Sequence, residues 1–478
     1  MGKLITLVCP YFYIKMKTKY FNKNYYYSSY LIEIRKEGEK MDKIKYVKLE
    51  QQDGSYSEAI PLAVDASSID INGSILPEVL EEIEQSIVSV VSKSQKKAYC
   101  FNTLIEMKNS TILMNNDIVQ TLGYYQANDG GGAIYKVVDN SSLVDNGGNI
   151  IELDNGLRAV LSVSTGKIYA EQFGIMGNEP NNTNCNEQLT LLLNYASINN
   201  LEVNFMKKTY ICFSVTVPAN TRINGNGCMF KKPNFKIAPY NEEPSKYGRR
   251  SIFSLARNTS NEEPLPIVIS NCTFDGNCWE IWRVEDEYSQ QQGSLITIFG
   301  NPSYTSRIHA KFYNVIVQNS ASDGFHARDH ADVYIENAKS FECFRGGLTC
   351  TGGGSLVKVN GFEFNGNLVN DGIDFETDSG NTETNEYFLT NITINNDLDL
   401  GVPSDNALVV IDKMLSKGTC IIRGTKKGVH ISNSHFKISD PTKHFVFTNS
   451  GGRRKNYDFL KLCIWWSHRW KHFSGHYY

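Results

Sequence analysis

The sequence predicts an all-β chain whose larger part is a single-stranded parallel β-helix, a solenoid of stacked coils. Two observations predict it. From about residue 200 onward, strands end in the pattern apolar-x-apolar-x-Asn/Gly: Ile267-Ile269-Asn271, Val315-Val317-Asn319, Val333-Ile335-Asn337, Val357-Val359-Gly361, Ile392-Ile394-Asn396 and Val429-Ile431-Asn433. A unit this short cannot bury its apolar face alone and must stack on its neighbours. Independently, Gly324, Gly347 and Gly372 each open an alternating strand, at intervals of 23 and 25 residues (347 minus 324, 372 minus 347). Equal positions of successive coils then form columns. The inward ones read Phe325 over Leu348 over Ile373, and Ala327 over Cys350 over Phe375.

Composition leaves room for this and closes other options. The 478 residues allow about two to four domains. Lys plus Arg is 48 against Asp plus Glu 51, a net charge of -3, so there is no footprint for nucleic acid or an anionic membrane. No apolar run reaches the roughly 18 residues of a membrane span. Eleven cysteines without C-x-x-C spacing indicate neither a zinc site nor a complete disulfide framework. They read as small buried hydrophobes.

The elements follow in order. Residues 1–40 close on "KEGEK" before Met41, which would be encoded by purine-rich codons resembling a ribosome-binding site; Met41 is the expected start and 1–40 disordered upstream read-through. A native N-terminal mass that includes Tyr25 would rule this out. No small-residue cleavage site follows the short apolar piece, so no signal peptide is expected. Residues 41–70 alternate around Asp53-Gly54 as a small β attachment module. Residues 71–97 read as a helix with Leu76, Leu80, Ile83, Ile87 and Val90 in heptad spacing. Two readings stay open: a coiled coil, whose isoleucines favour three strands, or an amphipathic helix packed on its own domain. Residues 98–175 form a β-rich neck, in which Asp129 and Gly130 to Gly132 make a tight turn, since no lysine and helix follow as in a phosphate cradle.

The β-helix is expected over 176–450, beginning with a helix in "NEQLTLLLNYASINN" and with strands in "LEVNFMKKTYIC" and "VTVPANTRINGNG" closed by Asn-Gly turns. Residues 451–478 change character, with Trp465, Trp466, Trp470, His468, His472 and His476, and read as a frameshifted tail into which the repeat runs without an end cap.

The stretch "NDGIDFETD" at 370–378 carries Asp371, Asp374, Glu376 and Asp378. Ile373 and Phe375 point inward, so Asp374 and Glu376 point outward. Stacking puts His326, Thr349 and Asp374 in one outward column and Arg328, Thr351 and Glu376 in the next, with Asp323, Arg345 and Asp371 at the preceding turn. Alternate strand residues are about 6.7 Å apart. That is near the lower edge of the roughly 6.5–9.5 Å carboxylate separation of inverting glycosidases. Asp374 and Glu376, with His326, are therefore the candidate acid/base groups. Arg328 and Arg345 suit the carboxylate of an acidic sugar; Asp371, Asp378, Thr349 and Thr351 are further binding candidates. Three carboxylates on one flat strand are too few for calcium, so no metal and no cofactor is expected. Set against catalysis, any exposed strand face is polar, and acidic residues also keep solenoids from sticking together.

"TLGYYQANDGGGAIYKV", "IYAEQFGIMGN", "NEQLTLLLNYA", "VNFMKKTYIC" and "VPANTRINGNG" together resemble the start of the right-handed pectate-lyase-like β-helix of bacteriophage tail spikes and tail fibres. The likeness covers roughly residues 110 to 450. "KYVKLEQQDGSYSEAIPL" resembles the virion-attachment start of tail proteins from phages of Gram-positive bacteria. The resemblance implies a homotrimer in the virion tail, made in the bacterial cytoplasm. It would be joined to tail or baseplate proteins through its N-terminal module, and would bind and cleave a host-surface polysaccharide by hydrolysis or elimination. A receptor-binding or structural fibre without chemistry is the alternative, and a secreted hydrolase or lyase unrelated to virions a third. The sequence departs from the pattern where "GNEPNNTNCNE" replaces the turn acidic residues and where Met206 and Lys208 stand for proline and glycine. Asn370-Asp371-Gly372-Ile373-Asp374 is similar to the N-x-D-G motif of polygalacturonases, but the Asp-Asp pair, Gly-His-Gly and Arg-x-Lys of that family are missing, so no catalytic role is carried over from it.

Overall fold

The computed structural model describes residues 4–9, 12–18 and 30–36, and the chain from residue 98 onward except 179–183, 235–236, 238–249, 279–292, 366–371, 377–382, 396–397, 401–406, 418–419, 425–427, 439–444, 450–458, 467–468 and 473–478. It divides into two units, Met1–Lys97 and Ala98–Tyr478. In the first, Leu4–Cys9, Phe12–Thr18 and Tyr30–Lys36 pair as a three-stranded antiparallel sheet, where the sequence suggested no order. The expected attachment module and helix at 41–97 lie outside the described residues.

The second unit opens with a five-stranded sheet of Ala98–Phe101, Ile118–Thr121, Ile134–Val138, Arg158–Leu161 and Ile150–Glu152, paired in that order. The Asp129 turn is the tight turn expected. Its carboxylate accepts the backbone N–H groups of Tyr124, Tyr125, Gln126 and Gly131 at 2.8–3.0 Å. These bonds favour the ionised acid and hold its pKa below the usual carboxylate value against partial burial.

Beyond it lies a parallel β-helix of two sheets. One is built of long strands, among them Arg222–Lys231, Ile267–Asp275, Ile308–Gln318, Ala331–Phe341, Leu356–Asn365, Glu386–Ile394, Leu408–Ser416 and Val429–Ile438, each parallel to the next. The other is built of short strands: Val215–Val217, Phe253–Leu255, Ile296–Phe299, Phe325–Arg328, Leu348–Thr351, Ile373–Phe375, Leu398–Leu400, Cys420–Gly424 and Phe445–Asn449. Strands that leave and rejoin the same sheet once per coil must run parallel, and their inward residues stack into one core. The helix Asn186–Ile198 lays Leu189, Leu192, Leu193 and Ala196 against the start of that core. Phe205, Phe230, Phe253 and Phe274 continue it as a chain of tilted and edge-on rings with centroids 4.9–5.3 Å apart.

The inward columns stand as expected. Phe325 pairs with Leu348 and Leu348 with Ile373, Ala327 with Cys350 and Cys350 with Phe375, all essentially buried. The glycines that open these strands have a steric reason. A Cβ on Gly324 would lie 2.4 Å from Val317 Cγ2, and one on Gly347 2.4 Å from Phe364 Cδ1. These are the corners where the short-strand sheet meets the long one.

The asparagine repeat needs correcting. Asn271, Asn314, Asn337, Gly361, Asn391, Lys413 and Asn433 do not end short strands. They sit inside the long strands in the left-handed region, with φ between 46° and 74°. Each bends its strand at the same place, and several of the asparagines bond to the coil before: Asn314 Nδ2 donates to Asn271 Oδ1 at 2.9 Å, and Asn271 Nδ2 to Asn224 Oδ1 at 3.1 Å. Asn319, at φ 52°, marks a different bend, at the end of the long strand, and Asn396 lies outside the described residues. Likewise Asn224 to Gly227 form a bulge within Arg222–Lys231 rather than a closing turn. A bend and a strand end both break the alternation at a residue that tolerates positive φ, so the sequence pattern looks the same for both.

Pairing also continues into the atypical tail. Phe459–Trp466 runs parallel to Val429–Ile438 and then folds back on Arg469–His472. Among the described residues no helix is long and apolar enough to cross a membrane. Cys100, Cys185, Cys212, Cys228, Cys272, Cys278, Cys343 and Cys350 are free, and the last six of these are buried.

Candidate functional site

The short-strand sheet exposes its second face as a wall along the solenoid. Strand alternation forces this: Phe325, Ala327, Ile373 and Phe375 take the core side, so His326, Arg328, Asp374 and Glu376 take the other. In register, His326 pairs with Thr349 and Thr349 with Asp374, while Arg328 pairs with Thr351. Glu376 lies one residue past its strand. Its N–H still donates to the Cys350 carbonyl at 2.8 Å, which carries the register on beside Thr351. Both expected outward columns are therefore present, with rungs about 4.8 Å apart.

His326 is half-buried, and its Nε2 lies 2.9 Å from Thr351 Oγ1. Burial lowers its pKa below the ordinary imidazole value, and Arg345 and Arg328 add to this while Asp323 and Asp329 oppose it. The ring is thus neutral at pH 7, the form that takes up a proton. The ring packs edge-to-face with Phe299, at 4.8 Å between centroids and 81° between planes. Arg328 is exposed, with its Nε 3.1 Å from Asp329 Oδ2. Arg345 Nε lies 3.7 Å from Oδ1 of the buried Asp323, whose Oδ2 accepts from Ser294 Oγ at 3.2 Å and Ser322 Oγ at 3.3 Å.

Two expectations change. Thr349, proposed as a binding residue, is fully buried between His326 and Asp374 in its column, and its hydroxyl has no hydrogen-bond partner. A side chain with no exposed surface cannot touch a polysaccharide; one short residue flanked by two longer ones is covered by them. Thr351 is committed to His326 and so positions the imidazole. Asp371 and Asp378 lie outside the described residues.

Sequence reasoning missed three positions. Asp399 pairs with Asp374 in register on the next rung. Its signal was Leu398-Asp399-Leu400, the same apolar-Asp-apolar unit as Ile373-Asp374-Phe375, but without a glycine before it. Phe299 pairs with Arg328 on the rung before, and Arg257 Cζ lies 5.8 Å from the centre of its ring. Among the described residues no group of three or more His, Cys, Asp or Glu is arranged to hold a metal ion.

No protein-family profile matches the chain, and no curated protein matches it. Solved structures do resemble it. The tailspike protein gp49 of Acinetobacter baumannii bacteriophage Fri1, a capsular polysaccharide depolymerase, is 16% identical over 74% of this chain and 64% of its own, with a TM-score of 0.46. Pantoea stewartii WceF, a glycan biofilm modifying enzyme with a tailspike-like parallel β-helix fold, is 10% identical over 79% and 54%, with a TM-score of 0.45. The tailspike of Acinetobacter phage vB_ApiP_P1 is 13% identical over 76% and 75%, with a TM-score of 0.34. The chain spans less than two thirds of the length of the first two.

Proposed function

We propose that this chain is a bacteriophage tail spike or tail fibre protein that binds and depolymerises a host-surface polysaccharide along the outward face of its short-strand sheet. One observation carries the reading: groups up to about fifty positions apart in sequence, His326, Arg328, Thr351, Asp374 and Glu376, are in register on one rigid wall. A wall that repeats every rung suits an extended, repeating ligand. In hydrolysis, one of Asp374 and Glu376 donates a proton to the glycosidic oxygen while the other takes one from the attacking water. In elimination, the neutral His326 imidazole takes the proton instead. The sequence resemblance supports a homotrimer in the virion tail, attached through its N-terminal residues to tail or baseplate proteins, and a Gram-positive host.

The test incubates the full chain with capsule and wall polysaccharides from a panel of Gram-positive hosts. New reducing ends indicate hydrolysis; unsaturated products absorbing in the ultraviolet indicate elimination. Asp374→Asn and Glu376→Gln should each lower the rate about 10²- to 10⁴-fold. Cleavage that persists unchanged in both variants removes the carboxylates from the mechanism. Glycan binding without products from any polymer leaves a non-enzymatic receptor-binding fibre.

A further inference from the structure

We propose that Arg257, Phe299 and Arg328 form a subsite for an anionic sugar unit, upstream of the carboxylates on the same wall; this rests on the glycan-binding reading above. Phe299 is half-buried on the outward face, with the exposed Arg257 guanidinium 5.8 Å from the centre of its ring. Arg328 is its partner in register on the next rung. Asp329 holds the Nε edge of Arg328 at 3.1 Å and so fixes the plane of the guanidinium. The edge-to-face contact with His326 also holds the phenyl ring. The result is a phenyl ring with one guanidinium over its face and a second cation in register on the next rung.

The exposed part of the ring offers apolar contact to the C–H groups of a pyranose, and an anionic substituent on the sugar reaches a guanidinium, which grips carboxylate and phosphate alike through paired N–H groups. The far end of the wall has the opposite charge. Asp374 and Glu376 are acidic. From Arg328 to Glu376 is two rungs, about 10 Å, the length of roughly two sugar units. A polymer anionic at every unit would be repelled at the carboxylates. One with a single acidic unit per repeat is accepted in one register, with the bond to be cleaved a fixed distance from the charge.

Glucuronate, glucose 6-phosphate and glucose, titrated into the full chain at millimolar concentrations and followed by NMR, test this. At least one anionic sugar should bind ten-fold or more tightly than glucose. Arg257→Ala with Arg328→Ala should abolish that difference without changing thermal unfolding. Preference for glucuronate assigns a uronic-acid polymer; preference for the phosphate ester assigns a phosphorylated one. Equal binding of charged and neutral sugars, no binding of any of them, or a preference that survives both substitutions overturns the subsite. Polymer cleavage indifferent to charge would overturn the subsite alone. Absence of both cleavage and glycan binding across the host panel would overturn the reading beneath it.

Discussion

Nε2 of His326 stands 2.9 Å from Oγ1 of Thr351 on the following rung. The pair ties a half-buried ring, whose pKa burial has lowered, to a hydroxyl that cannot itself titrate in the range where the ring does. The sign is fixed. A lowered pKa keeps the imidazole neutral through pH 7 and down past its ordinary value near 6.5. If His326 is the base, activity falls on the acid side only below that value, and an NMR titration of the ring should show a midpoint under 6.5. His326→Gln should cost about 10²- to 10⁴-fold in kcat. A midpoint above 6.5 contradicts the role.

Lys232 is fully buried, and its ammonium donates to the Gly293 carbonyl at 3.2 Å. Burial lowers its pKa from 10.5 to about 7. Between those two values the unfolded chain holds a proton that the folded chain has released, so the stability contributed here rises with pH across that window and is lowest at pH 7 and below. Lys232→Met should therefore stabilise the protein at pH 7 by about 1–3 kcal/mol. Denaturant midpoints compared at pH 7 and pH 11 check it: the gain should shrink at the higher pH.

Gly347→Ala places a methyl group 2.4 Å from Phe364 Cδ1 and 2.5 Å from Ser340 Oγ. Both neighbours are packed core, so the expected loss is about 1–3 kcal/mol. Thermal unfolding measures it. An unchanged transition would mean that this corner has room to open.

Asn314→Ala keeps a side chain at φ 54° and removes the bond to Asn271. A loss of about 1–2 kcal/mol is expected. Asn314→Gly removes the same bond but adopts the same φ without strain, so it should cost less. Chemical denaturation of the two variants separates conformational strain from the hydrogen bond.

The inward columns were legible because strand alternation and a glycine at fixed phase specify them without ambiguity. Phe325, Leu348 and Ile373 needed nothing more. The outward columns followed by parity, which placed His326 and Asp374 together but could not show that Thr349 would be covered by its neighbours. Phe299 and Asp399 were missed for a single reason: their strands begin without the glycine that set the phase elsewhere. The mid-strand asparagines Asn271, Asn337 and Asn433 were seen as a repeat and misplaced within it, since a left-handed residue leaves the same mark in mid-strand as at an end.

The six buried thiols lie at several levels of the solenoid, and burial pushes the pKa of each well up, so none reacts while its coil is closed. Each is a built-in gauge of local opening. Under mild denaturant, the order in which a maleimide tags Cys212, Cys228, Cys272, Cys278, Cys343 and Cys350 would record from which end the molecule unzips.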